Sequence, residues 1–438
     1  MKKFLLSALA AVSLAASFPS HNSPPGWYQV PLPVNDLITD IFFIDTLNGW
    51  ITTQGTIAKG NDTAYIFKTT DGGDNWIVQF TEVKPLRKII FFDVNTGYIG
   101  SGTNSGYGSL LKTTNGGANW VEDTSFMQGI GGVVDMSFLN KDTGWVCDPT
   151  SSFGGLIKTT NGGINWIRQT IPNDRTRFVT FPSYDTGYYA TNNGYLYKTT
   201  TSGNNWTQIL HPSFISGIFF LNNQKGWLYA RITPQGRSVA RTTNGGLNWT
   251  ENTEGLYAGP DMYFINDTVG YSGGGEVFEK ITKTTDGGKI WGYQSNPIPK
   301  VKQVWALKNN PDYAWVGDTK FAKTNDGGGT IIFTDIKQIN SSVPTIYKLS
   351  QNYPNPFNPT TKIKFDVRES SDIKFIIYDI RGKVIQDNRY GTVQPGEYEM
   401  SFDANAFALT SGVYFYKLIA TNKKSNVFSE TKKMLLVK

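Results

Sequence analysis

Apolar residues along this chain fall in short runs that alternate with polar ones, each run ending in a turn-forming cluster. The first complete unit shows the pattern: Ile38–Ile44, Gly49–Thr53, Ala64–Thr69 and Asn75–Phe80 are predicted as four strands. Towards the C-terminus the same style returns in Lys362–Phe365, Ile373–Tyr378, Tyr398–Phe402, Val413–Leu418 and Met434–Val437. Turns between them come from Arg381-Gly382, Pro395-Gly396 and Ser411-Gly412. The one long apolar stretch is Phe4–Ala16, behind Lys2-Lys3 and ahead of small residues. Residues 1–17 therefore read as a signal peptide, with an apolar segment of 13 residues that is too short to span a bilayer.

The middle of the chain repeats itself. Lys68-Thr69-Thr70-Asp71-Gly72-Gly73-Asp74-Asn75-Trp76 recurs, with changes, as Lys112–Trp120, Lys158–Trp166, Lys198–Trp206, Arg241–Trp249 and Lys283–Trp291, and a worn seventh copy starts at Lys323. The tryptophans step by 44, 46, 40, 43 and 42 residues. A second motif recurs in phase: Gly49-Trp50, Gly97-Tyr98, Gly144-Trp145, Gly187-Tyr188, Gly226-Trp227, Gly270-Tyr271 and finally Ala314-Trp315. A period of about 40–46 residues filled with short strands is that of propeller blades. The expected fold is all-β: a seven-bladed β-propeller of four-stranded blades over 26–334, a linker at 335–345, and an immunoglobulin-like β-sandwich over 346–438. Gly26-Trp27-Tyr28-Gln29 resembles the start of a fourth strand and is expected to close the ring on the last blade.

Composition agrees: 46 of 438 residues are Gly, 14% are aromatic and only 17% are charged, which argues against helical bundles and disordered chains. The net charge of +6 is unevenly spread. Residues 343–438 carry 14 basic and 9 acidic groups, and residues 18–342 carry 25 and 26. The body thus has no basic excess for nucleic acid. With two histidines (His21, His211) and one cysteine (Cys147), neither a Cys/His zinc site nor an internal disulfide can form, and no cofactor is expected.

In the repeated box, the side chain at the Asp position can accept turn N–H groups, Gly supplies positive φ, and Trp packs inward. That position holds Asp71, Asp286 and Asp326 but also Asn115, Asn161, Asn244 and Thr201. Asn and Thr cannot serve as a carboxylate base, so the box is read as structural, as are Trp76, Trp120, Trp166, Trp206, Trp249 and Trp291. Truncating Trp166 to Ala is expected to cost about 3–5 kcal/mol. Asp93-Val94-Asn95-Thr96-Gly97 imitates the start of a calcium loop but lacks the Glu at the far end, so it is read as a turn and no metal site is assigned.

Four ordered motifs resemble the C-terminal sorting domain of the type IX secretion system: Pro354-Asn355-Pro356-Phe357-Asn358-Pro359, the turn at Gly382, Ser411-Gly412-Val413-Tyr414, and Lys433-Met434 in the terminal strand. The resemblance implies a sandwich read by that machinery, a Bacteroidota-type source, and a protein that is secreted or held at the outer-membrane surface. The blade consensus resembles the propeller of the photosystem II assembly factor family, which is non-enzymatic. More distantly, its Asp-boxes (BNR-type repeats) resemble those of sialidases and xyloglucanases.

Two functions are compatible with these features. A glycoside hydrolase of sialidase or xyloglucanase type would need a carboxylate pair in one pocket, and no diagnostic pair or arginine triad stands out. The favoured expectation is a non-enzymatic binding or scaffold protein whose ligand is a protein or polysaccharide. Its contacts are expected on the rim opposite the boxes, where loops vary between blades. Candidates there are Arg87, Arg175, Arg177, His211, Arg237, Tyr257 and Glu276.

Overall fold

Each sequence repeat folds as one blade because its four short strands pair in order and bury the same aromatic positions. In the computed structural model the described residues are 26–55, 63–102, 108–123, 132–148, 155–172, 175–191, 193–212, 214–233, 236–251, 258–273, 280–289, 291–329, 331, 336–407, 409–422 and 425–438. The signal peptide expected at 1–17 lies outside them. Among the described residues, 26–324 form seven four-stranded antiparallel sheets, and no helix is long and apolar enough to cross a membrane. The first blade pairs Ile38–Phe43, Gly49–Thr53, Ala64–Thr69 and Ile77–Glu82. Its fourth strand starts two residues later than expected, since Asn75 and Trp76 belong to the turn.

The first strands neighbour one another around the ring: Ile38–Phe43, Leu86–Phe91, Asp135–Phe138, Thr176–Thr180, Ile215–Phe220, Asp261–Phe264 and Gln303–Leu307. The ring closes as the early Gly-Trp predicted. Tyr28–Val30 is the outer strand of the seventh blade, with Tyr28 opposite Lys323 and Val30 opposite Phe321. The Gly26 N–H donates to Asp326 Oδ2 at 2.8 Å, completing the seventh box from the other end of the chain.

Three devices recur at the blade interfaces. First, a ring from one blade stacks on the phenylalanine at the end of the first strand of the next, or just past it at Phe181: Trp50 on Phe91 (3.6 Å), Trp145 on Phe181 (3.5 Å), Tyr188 on Phe220 (3.6 Å), Trp227 on Phe264 (3.6 Å) and Trp315 on Phe43 (3.7 Å). The box indole of the same blade meets that phenylalanine edge-on, as Trp206 meets Phe181 at 86°. Second, the box lysine donates to the main-chain carbonyl of the next blade's box, Lys68 to Gly116 (2.9 Å), Lys112 to Gly162 (2.6 Å) and so on round to Lys323 to Gly72 (3.0 Å). At the fifth interface, where the sequence has Arg241, the Trp227 indole takes the Gly287 carbonyl instead (2.9 Å). Third, the Gly of the Gly-aromatic motif lies against its own blade's phenylalanine, and a methyl at Gly144 or Gly187 would overlap the rings of Phe138 or Phe181. In the seventh blade Ala306 replaces the phenylalanine and its cross-strand partner Ala314 replaces the glycine.

Trp50, Trp145 and Trp315 are fully buried. The box indoles are buried in the first and sixth blades (Trp76, Trp291) but half-buried in the second to fifth (Trp120, Trp166, Trp206, Trp249). The deep wedge is therefore the Gly-aromatic ring, and the cost expected at Trp166 belongs at Trp145.

The C-terminal part is a sandwich of two four-stranded sheets. One orders Ile336–Asn340, Gly396–Asp403, Thr360–Val367 and Lys348–Leu349, and the other Val384–Val393, Ser371–Asp379, Gly412–Asn422 and Ser425–Leu436. Phe365, Phe375, Tyr416 and Met434 are fully buried between them. The stretch 335–345 expected as a linker thus supplies an edge strand, with Ile336 opposite Met400. Its Ile-Lys-Gln-Ile-Asn pattern is too short to announce a partner 60 residues away.

Candidate functional site

The box turns leave no chemistry spare. The Thr69 hydroxyl donates to Asp71 Oδ1 (2.7 Å) and accepts the Gly73 N–H (3.0 Å), while Asp71 Oδ1 also accepts the Asn75 N–H (2.9 Å). Burial alone would raise the Asp71 carboxyl, but the donors Asn75, Thr69 and Asp74 outweigh it and hold the group below the usual carboxylate range. Asn115, Asn161, Asn244 and Thr201 each accept the equivalent N–H four residues on (2.9 to 3.0 Å), so the amide and hydroxyl copies do the same work. Asp286 and Asp326 likewise accept from Thr284 and Thr324. Asp93 caps its own turn, accepting the N–H groups of Asn95 and Thr96 at 2.7 Å.

The first strands neighbour one another around the ring and so face its central axis, the place of the channel in a propeller, and their alternation decides which side chains point there. Counting three residues back from the repeated phenylalanine, or from Ala306 in the seventh blade, gives Asp40, Lys88, Asp135, Phe178, Gly217, Asp261 and Gln303 in blade order. Lys88 Nζ lies 3.1 Å from Asp40 Oδ1. Each aspartate also reaches the next blade: Asp40 accepts the Ile89 N–H (2.9 Å), Asp135 that of Val179 (2.9 Å) and Asp261 that of Val304 (2.5 Å). One residue back from the same reference position, four rings run along one wall: Phe219 and Tyr263 (5.5 Å), Tyr263 and Trp305 (4.6 Å), Trp305 and Phe42 (4.7 Å).

The electrostatics of this layer are unusual. Burial pushes Asp135 up to about 6 and Asp261 up to about 7, Lys88 offsetting only part of it. Burial raises Asp40 too, against the pull of Lys88. Burial works against the charge on Lys88, yet Asp40, Asp135 and Asp261 together hold it above the ordinary lysine range. These four residues were not among the sequence candidates. Their signal is present but faint: an Asp three residues before Phe in Asp40-Ile-Phe-Phe, Asp135-Met-Ser-Phe and Asp261-Met-Tyr-Phe. Among the described residues, no group of three or more His, Cys, Asp or Glu is placed to hold a metal ion.

The expected rim candidates scatter. Arg175, Arg177 and His211 share the fourth blade, whose strands are Thr176–Thr180, Gly187–Thr191, Leu196–Thr199 and Thr207–Leu210. All three are exposed; the Arg177 guanidinium sits 5.3 Å from the centre of the Phe178 ring, and His211 stacks on Tyr195 at 3.8 Å and 2°. Arg87 stands in the second blade, where its Nε donates to the Gly102 carbonyl (3.0 Å) and burial holds its pKa below the usual arginine range. Arg237 lies in Gly236–Thr242 of the fifth blade, with its side chain outside the described set, and Tyr257 and Glu276 fall outside the described residues. Cys147 is buried in the third blade, its thiol pushed up by burial and the nearby Asp135.

The sorting motifs, far apart in sequence, gather in the sandwich. Phe357 is buried; its N–H donates to the Leu435 carbonyl (2.9 Å) and its carbonyl accepts the Val437 N–H (3.0 Å). Asn355 Oδ1 accepts the Leu435 N–H, and Ser411 Oγ accepts the Lys438 N–H, both at 2.9 Å. The Lys433 carbonyl accepts from Gln351 (2.7 Å), and Met434 is buried beside them. The Pro354 carbonyl accepts from Asn352 and Thr361, that of Pro359 accepts the Ala404 N–H (2.9 Å), and the Tyr414 hydroxyl donates to the Thr410 carbonyl (2.8 Å). Gly382, at φ 78°, makes the turn after Asp379. Pro356, Asn358 and Gly412 complete the motif set, with Pro356 and Asn358 exposed.

Residues 351–435 match the secretion system C-terminal sorting domain. The chain therefore carries a type IX sorting tail and is directed to the outer-membrane surface or beyond it. No curated protein matches the sequence at a significant level. Among solved structures, YCF48 bound to a D1 peptide aligns at TM-score 0.54 with 16% identity, over 69% of this chain and 97% of that one. YCF48 from Cyanidioschyzon merolae aligns at 0.53 with 19% identity, over 68% and 98%. The extracellular domain of BT3049 from B. thetaiotaomicron aligns at 0.50 with 12% identity, over 95% of this chain and 58% of that one. At these identities the likeness is one of fold.

Proposed function

We propose that this chain is a non-enzymatic binding or scaffold protein, exported by its sorting tail, that holds a protein or polysaccharide on the loop rim of the propeller. The observation that carries this reading is the fourth-blade rim. There the repeat breaks to present Arg175, Arg177 and the coplanar Tyr195–His211 pair, while the repeated box and interface positions are engaged in holding blades together. Stacked flat rings and guanidinium groups suit a sugar face, a carboxylate or a peptide. The similarity in fold to a propeller solved with a peptide bound supports the protein alternative. The test is a glycan array beside a peptide array, probed with the full chain and with the Arg177→Ala/His211→Ala double variant. Binding that falls at least tenfold in the variant, with fluorescence melting unchanged, is the expected result. Equal binding by both proteins would remove the rim from the account.

One observation favours a second reading, an extracellular glycoside hydrolase. Asp135 and Asp261 lie on the channel wall with pKa values of about 6 and about 7, in the range a general acid needs. Hydrolysis of any glycan in a broad screen, abolished by Asp261→Asn, would replace the binding account with this one.

A further inference from the structure

The channel layer has a mismatch that the blade repeat does not require. Three carboxylates converge on one ammonium, and only Asp40 lies within ion-pairing distance of it (3.1 Å). Across the interface Asp135 and Asp261 instead accept the N–H groups of Val179 and Val304, and Asp135 also accepts from the Met136 amide of its own strand. The other charged or titratable groups facing them are Lys88, Asp40, the Tyr263 phenol and, behind Asp135, the Cys147 thiol. The remaining blades bring Phe178, Gly217 and Gln303 to this level, none of them charged. With all three aspartates ionised, these seven positions carry a net two negative charges, and among the described residues Lys88 is the cation that acts on them.

We propose that this layer is a pH-sensitive clasp: charge on Asp135 and Asp261 loosens the third–fourth and sixth–seventh blade interfaces in mildly alkaline medium, and its loss in mildly acidic medium tightens them. The direction follows from linkage. Both carboxyls titrate higher in the folded ring, at about 6 and about 7, than the ordinary 3.8 of an unfolded chain. The folded state therefore holds more protons, and the stability this supplies is full below the ordinary value and lost as pH rises through 6 and 7. The turn aspartates act oppositely. Asp71, Asp93 and Asp326 lie below the ordinary value, so they weaken the fold only when pH drops under the carboxylate range. Maximum stability thus falls on the acidic side of neutrality.

All 12 tryptophans, from Trp27 to Trp315, lie in the propeller, so indole fluorescence reports its unfolding and not that of the sandwich. Melting of the full chain from pH 5 to pH 8 is expected to show a midpoint that falls by on the order of 5 °C. In Asp135→Asn/Asp261→Asn the midpoint is expected to be nearly flat over that range and higher than the parent's at pH 8. Lys88→Met, which removes the one cation, is expected to steepen the fall. A parent midpoint that is flat or rises from pH 5 to pH 8, or slopes unchanged in the double variant or in Lys88→Met, would overturn the clasp.

Discussion

At the scale of single residues, the burial of rings decides which positions matter most. Trp145 has no exposed surface, stacks on Phe181 at 3.5 Å and lies beneath the Lys158 ammonium, 5.0 Å from the ring centre. Removing it deletes contacts to both blades at once, so Trp145→Ala is expected to cost about 3–5 kcal/mol. Trp166 is half-buried and keeps its indole N–H on Asp123 (3.0 Å), and Trp166→Ala is expected to cost about half as much. Denaturant unfolding followed by circular dichroism would rank the two, and equal losses would contradict the wedge assignment. The sequence carries both tryptophan series equally clearly. What it does not carry is which series sits deeper, because that depends on how one blade's ring meets the next blade's phenylalanine.

At the scale of the blade, the Gly-aromatic motif is explained by a phenylalanine six residues upstream. Gly144 pairs across the strands with Phe138, and a methyl group there would overlap the phenylalanine ring. The seventh blade shows the alternative solution, Ala306 opposite Ala314. Gly144→Ala alone is therefore expected to destabilise by about 2 kcal/mol or more through overpacking. In a Phe138→Ala background the same change is expected to cost far less, since the pair then reproduces the seventh blade. A double-mutant cycle measures this directly: the coupling should be at least about 1 kcal/mol, and strict additivity would show that the close approach is not what selects glycine. The blade count and strand order were legible because the repeat writes both several times, whereas the closing strand Tyr28–Val30 was announced only by the single Gly26-Trp27 echo of the box. The channel layer was hidden for the opposite reason. Its position reads Asp, Lys, Asp, Phe, Gly, Asp and Gln around the ring, and only closure of the ring gathers Asp40, Lys88, Asp135 and Asp261. Ile336–Asn340 was hidden because an edge strand of five residues takes its meaning from a register with Gly396–Asp403.

At the scale of the whole molecule, two units divide the labour: a ring that presents variable loops, and a sandwich whose signal is assembled from remote motifs. The meeting of Asn355 and Phe357 with Leu435 and Val437 suggests that export depends on the folded junction and not on any one short stretch. Phe357→Ala leaves every other motif residue in place but removes the buried side chain beside the terminal strand, at a cost of about 3–4 kcal/mol to the sandwich. Asn355→Ala removes only the side-chain acceptor of the Leu435 N–H, at about 1 kcal/mol. In the native host, Phe357→Ala is expected to leave most of the protein inside the cell envelope, with Asn355→Ala intermediate between it and the parent. The indole melting curve of both should match the parent's, because the propeller is untouched. Comparing cell-envelope and extracellular fractions by immunoblot measures the outcome. Parental export of Phe357→Ala would mean that export needs neither the buried ring nor the stability it gives, whereas graded retention that follows the loss of sandwich stability would mean that the machinery reads the fold.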